Sequence, residues 1–99
     1  MSYRVKITDT ALAEVEEAYL WLRERAPSQA VKWRKELLEA AESLKNNPER
    51  CALAPENEGF ISYELRHLLY GNYRIVFTIT GEMVYILHVR HCARRLVIP

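Results

Sequence analysis

The stretch GNYRIVFTITGEMVYILHV, residues 71–89, decides the fold. It contains two strand-like runs, Tyr73 to Ile79 and Met83 to Val89, separated by Thr80-Gly81-Glu82 and preceded by Gly71-Asn72. Glycine-bearing breaks between β-branched and aromatic runs are hairpin signals. A third run, Ile61 to Leu68, lies on the other side of Gly71-Asn72, so a three-stranded antiparallel meander is expected. Side chains alternate along a strand, which assigns faces. Tyr73, Ile75, Phe77 and Ile79 fall on the core side, with Arg74, Val76 and Thr78 opposite. Ile61, Tyr63 and Leu65 share one face, leaving Glu64 and Arg66 on the other. In the last run both faces are apolar; Leu87 and Val89 are assigned to the core, and His88 and Arg90 to the open face. Arg66, Arg74, His88 and Arg90 are then expected to cluster where no helix covers the sheet.

Working back toward the N-terminus, Tyr3, Val5 and Ile7 alternate with Arg4 and Lys6, the period of a short half-buried strand. Thr8, Asp9 and Thr10 offer helix N-caps. Ala11, Val15, Ala18 and Leu22 then form one helical stripe, with Leu12 and Tyr19 beside it. Pro27 is expected to end that helix and Ser28 to cap a second, whose stripe is Ala30, Trp33, Leu37, Ala41 and Leu44. Asn46-Asn47-Pro48 closes it. Residues 49–60 are irregular, punctuated by Pro55 and Gly59. The expected class is α+β in the order β-α-α-β-β-β, a helical hairpin laid on one face of a mainly antiparallel sheet.

Ninety-nine residues suffice for one domain, 1–99, burying roughly 60–70% of its unfolded surface. No apolar run approaches the ~20 residues of a membrane span, and the first residues lack the apolar core of a signal peptide. Two cysteines, Cys51 and Cys92, fall short of a disulfide framework. A cytoplasmic location is therefore expected. Net charge is +1, but from Phe60 onward five arginines face two acids, a balance of +3, leaving −2 for the first 59 residues. This basic half, which also holds His67, His88 and His91, reads either as a solvated strand surface or as a cationic face for nucleic acid or an acidic protein segment. His88, His91 and Cys92 do not make a metal site, because residues three apart on a strand point to opposite faces. No metal or cofactor is expected.

Glu64-Leu65-Arg66, Gly71-Asn72-Tyr73-Arg74-Ile75 and Ile86-Leu87-His88-Val89-Arg90-His91-Cys92-Ala93-Arg94 resemble, in order and spacing, the ELR, GxYRI and HxAR segments of the ParE/RelE toxin superfamily. The opening strand, a helix with Tyr19 and Trp21, a second helix and a proline-containing loop extend the resemblance over nearly the whole chain. It implies the toxin of a type II (plasmid-stabilisation) toxin–antitoxin system, neutralised by a ParD-like antitoxin in a hetero-oligomer. The antitoxin of such systems wraps the toxin's groove and sheet. ParE-like members poison DNA gyrase without known nuclease chemistry; RelE-like members are ribosome-dependent mRNA endonucleases. The HxAR ending favours the ParE branch. So does the C-terminal segment Arg94-Arg95-Leu96-Val97-Ile98-Pro99, which lacks the tyrosine that many RelE-like nucleases carry there.

On this resemblance Arg74, His88, Arg90, His91, Arg94 and Arg95 are the expected target-binding residues, and Arg66, Arg74 and Trp21 the expected antitoxin contacts. If the chain were instead a metal-independent endoribonuclease, Arg74 would supply the cation and His91 or His88 the base or acid, with Arg66 beside them. A non-toxic member that only binds antitoxin is the third reading. Bland alternatives stand beside each residue: Arg66 pairing with Glu64 or Glu82, His91 making a structural hydrogen bond, Arg94 and Arg95 forming a solvated tail. Trp33 falls on the apolar stripe and Trp21 at its edge. Cys51 has no evident activator, and Leu96-Val97-Ile98 either packs on the core or is offered to a partner.

Overall fold

Thr8 marks the point where the first strand becomes the first helix. Its Oγ1 accepts the Ala11 N–H at 3.3 Å and donates to the Ile86 carbonyl at 2.7 Å. One side chain thus caps the helix and ties it to the far end of the sequence. The computed structural model describes residues 2–55 and 64–92. Its elements are β1 (Arg4–Ile7), α1 (Asp9–Arg25), α2 (Pro27–Glu42), two 3-10 turns (Ser43–Lys45 and Pro48–Arg50), β2 (Arg66–Tyr70), β3 (Tyr73–Thr80) and β4 (Met83–His91). The sheet order is β1-β4-β3-β2: the last three strands form the expected meander, and β1 joins it parallel to β4.

Pro27 does not merely end the first helix; it is the first residue of the second. Ala26 is the N-cap, without a side-chain hydrogen bond, and Ser28 lies inside the first turn. Proline suits this position because the N–H it lacks would have no helical acceptor. Gly71 and Gly81 hold φ of +55° and +60° in the two hairpin turns. Positive φ at the first turn residue only is the type II′ pattern that glycine permits.

The expected strand over residues 61–68 is shifted. The β2 ladder starts at Arg66 and continues to Tyr70, because a two-residue turn at Gly71-Asn72 pairs Tyr70 with Tyr73. Ile61 and Tyr63 lie outside the described residues. Leu65 precedes the ladder, and its carbonyl accepts the Ala54 N–H at 2.8 Å.

Phe77, Leu37, Leu44, Ile75, Ile86, Val15 and Val84 are fully buried between the helices and the sheet. Each contributes about 1.5–3 kcal/mol by leaving water. The assignment of Tyr73, Ile75, Phe77 and Ile79 to this side holds. That of Leu87 does not. Val76 pairs with His88 and Phe77 with Ile86, so Leu87 is the extra residue of a β-bulge. The bulge resets the alternation: Ile86 and Val89 both face the helices, while Leu87 joins Val76, Leu65 and Ala54 in a small cluster on the opposite face.

Candidate functional site

β1 pairs with β4 only as far as Ile86. Beyond that residue the edge of β4 would lie bare, and α1 supplies what the missing strand would have given. Glu14 Oε1 accepts the backbone N–H of Val89 at 2.9 Å and lies 3.3 Å from His88 Nδ1. Glu14 Oε2 accepts from Arg90 Nη1 at 3.1 Å. One carboxylate therefore closes a strand edge and gathers two of the basic side chains. A charge-assisted bond to a backbone N–H is stronger than a neutral one.

This corrects the expected cationic cluster. Arg74 and Arg90 are cross-strand partners, but the Arg90 guanidinium turns round the β4 edge to Glu14, as does the His88 ring. Arg66 is opposite Phe77, on the helix side of β2 at the other edge of the sheet. Its Nη1 donates to the Cys51 carbonyl at 2.6 Å, and its Nη2 is 3.7 Å from the exposed Glu64 carboxylate. Arg74 is 6% exposed and is held within the sheet's second face. The four cations do not form one open patch, because two are drawn to an acid on α1 and one is spent on loop carbonyls. Arg94 and Arg95, like the apolar tail Leu96-Val97-Ile98, lie outside the described residues.

A groove of about 770 Å³ opens beside Glu14. One wall is a single face of α1: Glu14, Glu17, Ala18, Trp21 and Leu22. The three- and four-residue spacing of a helix brings them into line. The other wall is the β2–β3 turn, Tyr70 to Tyr73, with Val89, Arg90 and His91 at the end of β4. Trp33 of α2 packs against Tyr73 with ring centroids 4.9 Å apart, and His91 meets Tyr73 edge-on at 5.1 Å. Trp21 is 54% exposed at the rim, with the Arg25 guanidinium 3.8 Å above its ring. Tyr70 donates its hydroxyl to the Glu36 carboxylate, a bond that raises the phenol's pKa above the ordinary value, with burial adding to it.

Of the residues singled out from sequence, Trp21, Arg90 and His91 meet in this groove, His88 stands beside it through Glu14, and Arg66 and Arg74 do not line it. His91 and Arg74 leave the backbone on opposite faces, since Tyr73 pairs with His91 and Arg74 with Arg90, and Arg74 is not among the residues that line the groove. Among the described residues no three His, Cys, Asp or Glu side chains come together as a metal site. No helix among the described residues is long and apolar enough to cross a membrane. Sequence reasoning missed Glu14, Glu17, Trp33, Tyr70 and Tyr73 as groove residues. The available signal was Glu14 itself, a charge three residues after Ala11 and four before Ala18, on the flank of the buried stripe.

Comparison with known proteins agrees with this architecture. A chain of the chromosomal ParDE TA system from P. aeruginosa superposes with a TM-score of 0.74 at 19% identity, over 91% of this chain and 96% of that one. The archaeal RelE–RelB complex of Pyrococcus horikoshii OT3 matches with a TM-score of 0.60 at 20% identity, over 96% and 100% of the two chains. No curated protein matches the sequence. At such identities the structural likenesses speak for the fold. The family model described as ParE toxin of type II toxin-antitoxin system, parDE, matches residues 5–96, nearly the whole sequence. The chain therefore belongs to the ParE toxin family of type II toxin–antitoxin systems.

Proposed function

We propose that the protein inhibits DNA gyrase and is neutralised by a cognate antitoxin, a segment of which lies in the groove between α1 and the end of β4. The observation that carries the antitoxin part is the groove itself. Trp21 and Leu22 sit at a rim beside Trp33 and Tyr73, and an apolar, aromatic-lined channel flanked by charge suits an amphipathic segment that folds as it binds. The gyrase part rests on the ParE family match and on the residues His91-Cys92-Ala93-Arg94, which fit the HxAR segment of that family. His88, Arg90 and His91, near the end of β4, are the described residues offered to the target, with Arg94 and Arg95 next in sequence. The protein would act in the cytoplasm as a single domain.

Ribosome-dependent mRNA cleavage is the second reading, favoured by the likeness of fold to the Pyrococcus RelE–RelB complex. The placement of Arg74 and His91 on opposite faces counts against the nuclease site suggested by sequence.

The deciding experiment uses antitoxin-free protein, gyrase, relaxed plasmid and ATP. Loss of supercoiling with accumulation of cleaved DNA supports the proposal. Unaffected gyrase in the presence of folded protein overturns it. Ribosome-dependent RNA cleavage would then separate the nuclease from a non-toxic member that only binds antitoxin.

A further inference from the structure

Two of the residues that line the groove carry a buried hydrogen-bond donor with no acceptor among the described residues: Trp33 at Nε1 and Arg90 at Nε. Buried donors left unpaired are costly, and natural proteins leave few of them. Arg90 is only half used. Its Nη1 is on Glu14, whereas Nε and the Nη2 beside it form the guanidinium's second edge, the one a carboxylate grips with both oxygens. Trp33, Leu22 and Trp21 line the same groove.

The charges of the walls decide which anion fits. Glu14 and Glu17 line the α1 wall, Arg90 is the cation among the described lining residues, and Arg25 stands over Trp21 at the rim. A phosphodiester chain, with a charge at every residue, would be repelled along that wall. A peptide carrying one acid at the right place would not. We infer that the groove takes a segment of the partner protein in which a carboxylate side chain stands beside a large aromatic or aliphatic one. The carboxylate enters the second edge of Arg90, and the apolar group lies against Trp21, Leu22 and Trp33. This rests on the reading of the groove as the antitoxin's seat and adds the chemistry of what occupies it.

Two side-chain N–H signals, the indole of Trp33 and Nε–H of Arg90, report the site directly in nitrogen-15 NMR. They are assigned by their loss in Trp33→Phe and Arg90→Lys. The probes are 3-phenylpropionate, its amide, phenyl phosphate and a short single-stranded RNA. The carboxylate is expected to move both signals and to bind roughly tenfold more tightly than the amide, the difference between a charge-assisted and a neutral pair. Arg90→Lys keeps a cation for Glu14 but lacks the second edge, and should erase that preference while the spectrum stays dispersed. Equal response to acid and amide, or response only to phenyl phosphate or RNA, would overturn the inference. Adding the antitoxin separates the two readings. If the groove signals move but Arg90→Lys binds as tightly as the original, the carboxylate contact is wrong and the seat is right. If the antitoxin binds without moving them, the seat is wrong.

Discussion

Glu14 Oε1 accepts the backbone N–H of Val89 across 75 positions of sequence, at 2.9 Å. The carboxylate stands where the next residue of β1 would have paired, so a side chain completes a sheet that the backbone leaves short. Glu14→Ala would expose the Val89 N–H and release Arg90 and His88 together, at an expected loss of about 2–4 kcal/mol. Glu14→Gln keeps a neutral acceptor and should lose about 1 kcal/mol. Urea denaturation of the two variants measures the difference; equal stability would show that the strand edge is satisfied in another way.

The reach of Glu14 explains what could be read from sequence and what could not. Two hairpins, two helices and the faces of Tyr73 to Ile79 followed from local alternation and glycine placement, because those patterns are fixed by neighbours in sequence. Leu87 was misplaced because a bulge adds one residue to one strand, and both faces of that run are apolar. The cationic cluster failed for a different reason. Alternation says which face a Cβ leaves from, but long side chains such as Arg90 end wherever an acid waits, and that acid lies on another element.

The thiols should differ sharply in reactivity. Cys51 is buried and Cys92 exposed. Burial raises the Cys51 pKa, and the nearby Arg50 and Arg66 only partly oppose it. In native protein a disulfide reagent should titrate Cys92 rapidly and reach Cys51 only in urea. Rapid native modification of both would mean that Cys51 is transiently uncovered.

Stability should fall on the alkaline side. Tyr70 and Tyr3 donate to Glu36 and Glu49, which raises both phenol pKa values above 10.0. The folded state thus holds these protons more strongly than the unfolded chain. Their contribution is complete below the unfolded value and is lost as pH rises through the folded one. Tyr70→Phe should lower stability at neutral pH and flatten the decline above pH 10. An unchanged alkaline slope, followed by thermal unfolding, would remove Tyr70 from this role.

Core and turn substitutions should separate by mechanism. Phe77→Ala opens a cavity at a site with no exposed surface and should cost about 3–5 kcal/mol. Gly81→Ala meets no atom within 4 Å, so only its positive φ is penalised; about 1 kcal/mol is expected. Thermal unfolding of both variants tests the order.

The seating of β1 against β4 carries a consequence for biosynthesis. β1 leaves the ribosome ahead of the other elements, yet its strand partner among the described residues is β4, whose Val84 and Ile86 complete the core. Until Met83 to His91 have emerged, Val5 and Ile7 have no strand to pair with and the helical hairpin has only part of a sheet beneath it. The nascent chain thus reaches this surface only once β4 has emerged, and a chain cut short before β4 would have neither the groove nor the edge that Glu14 closes.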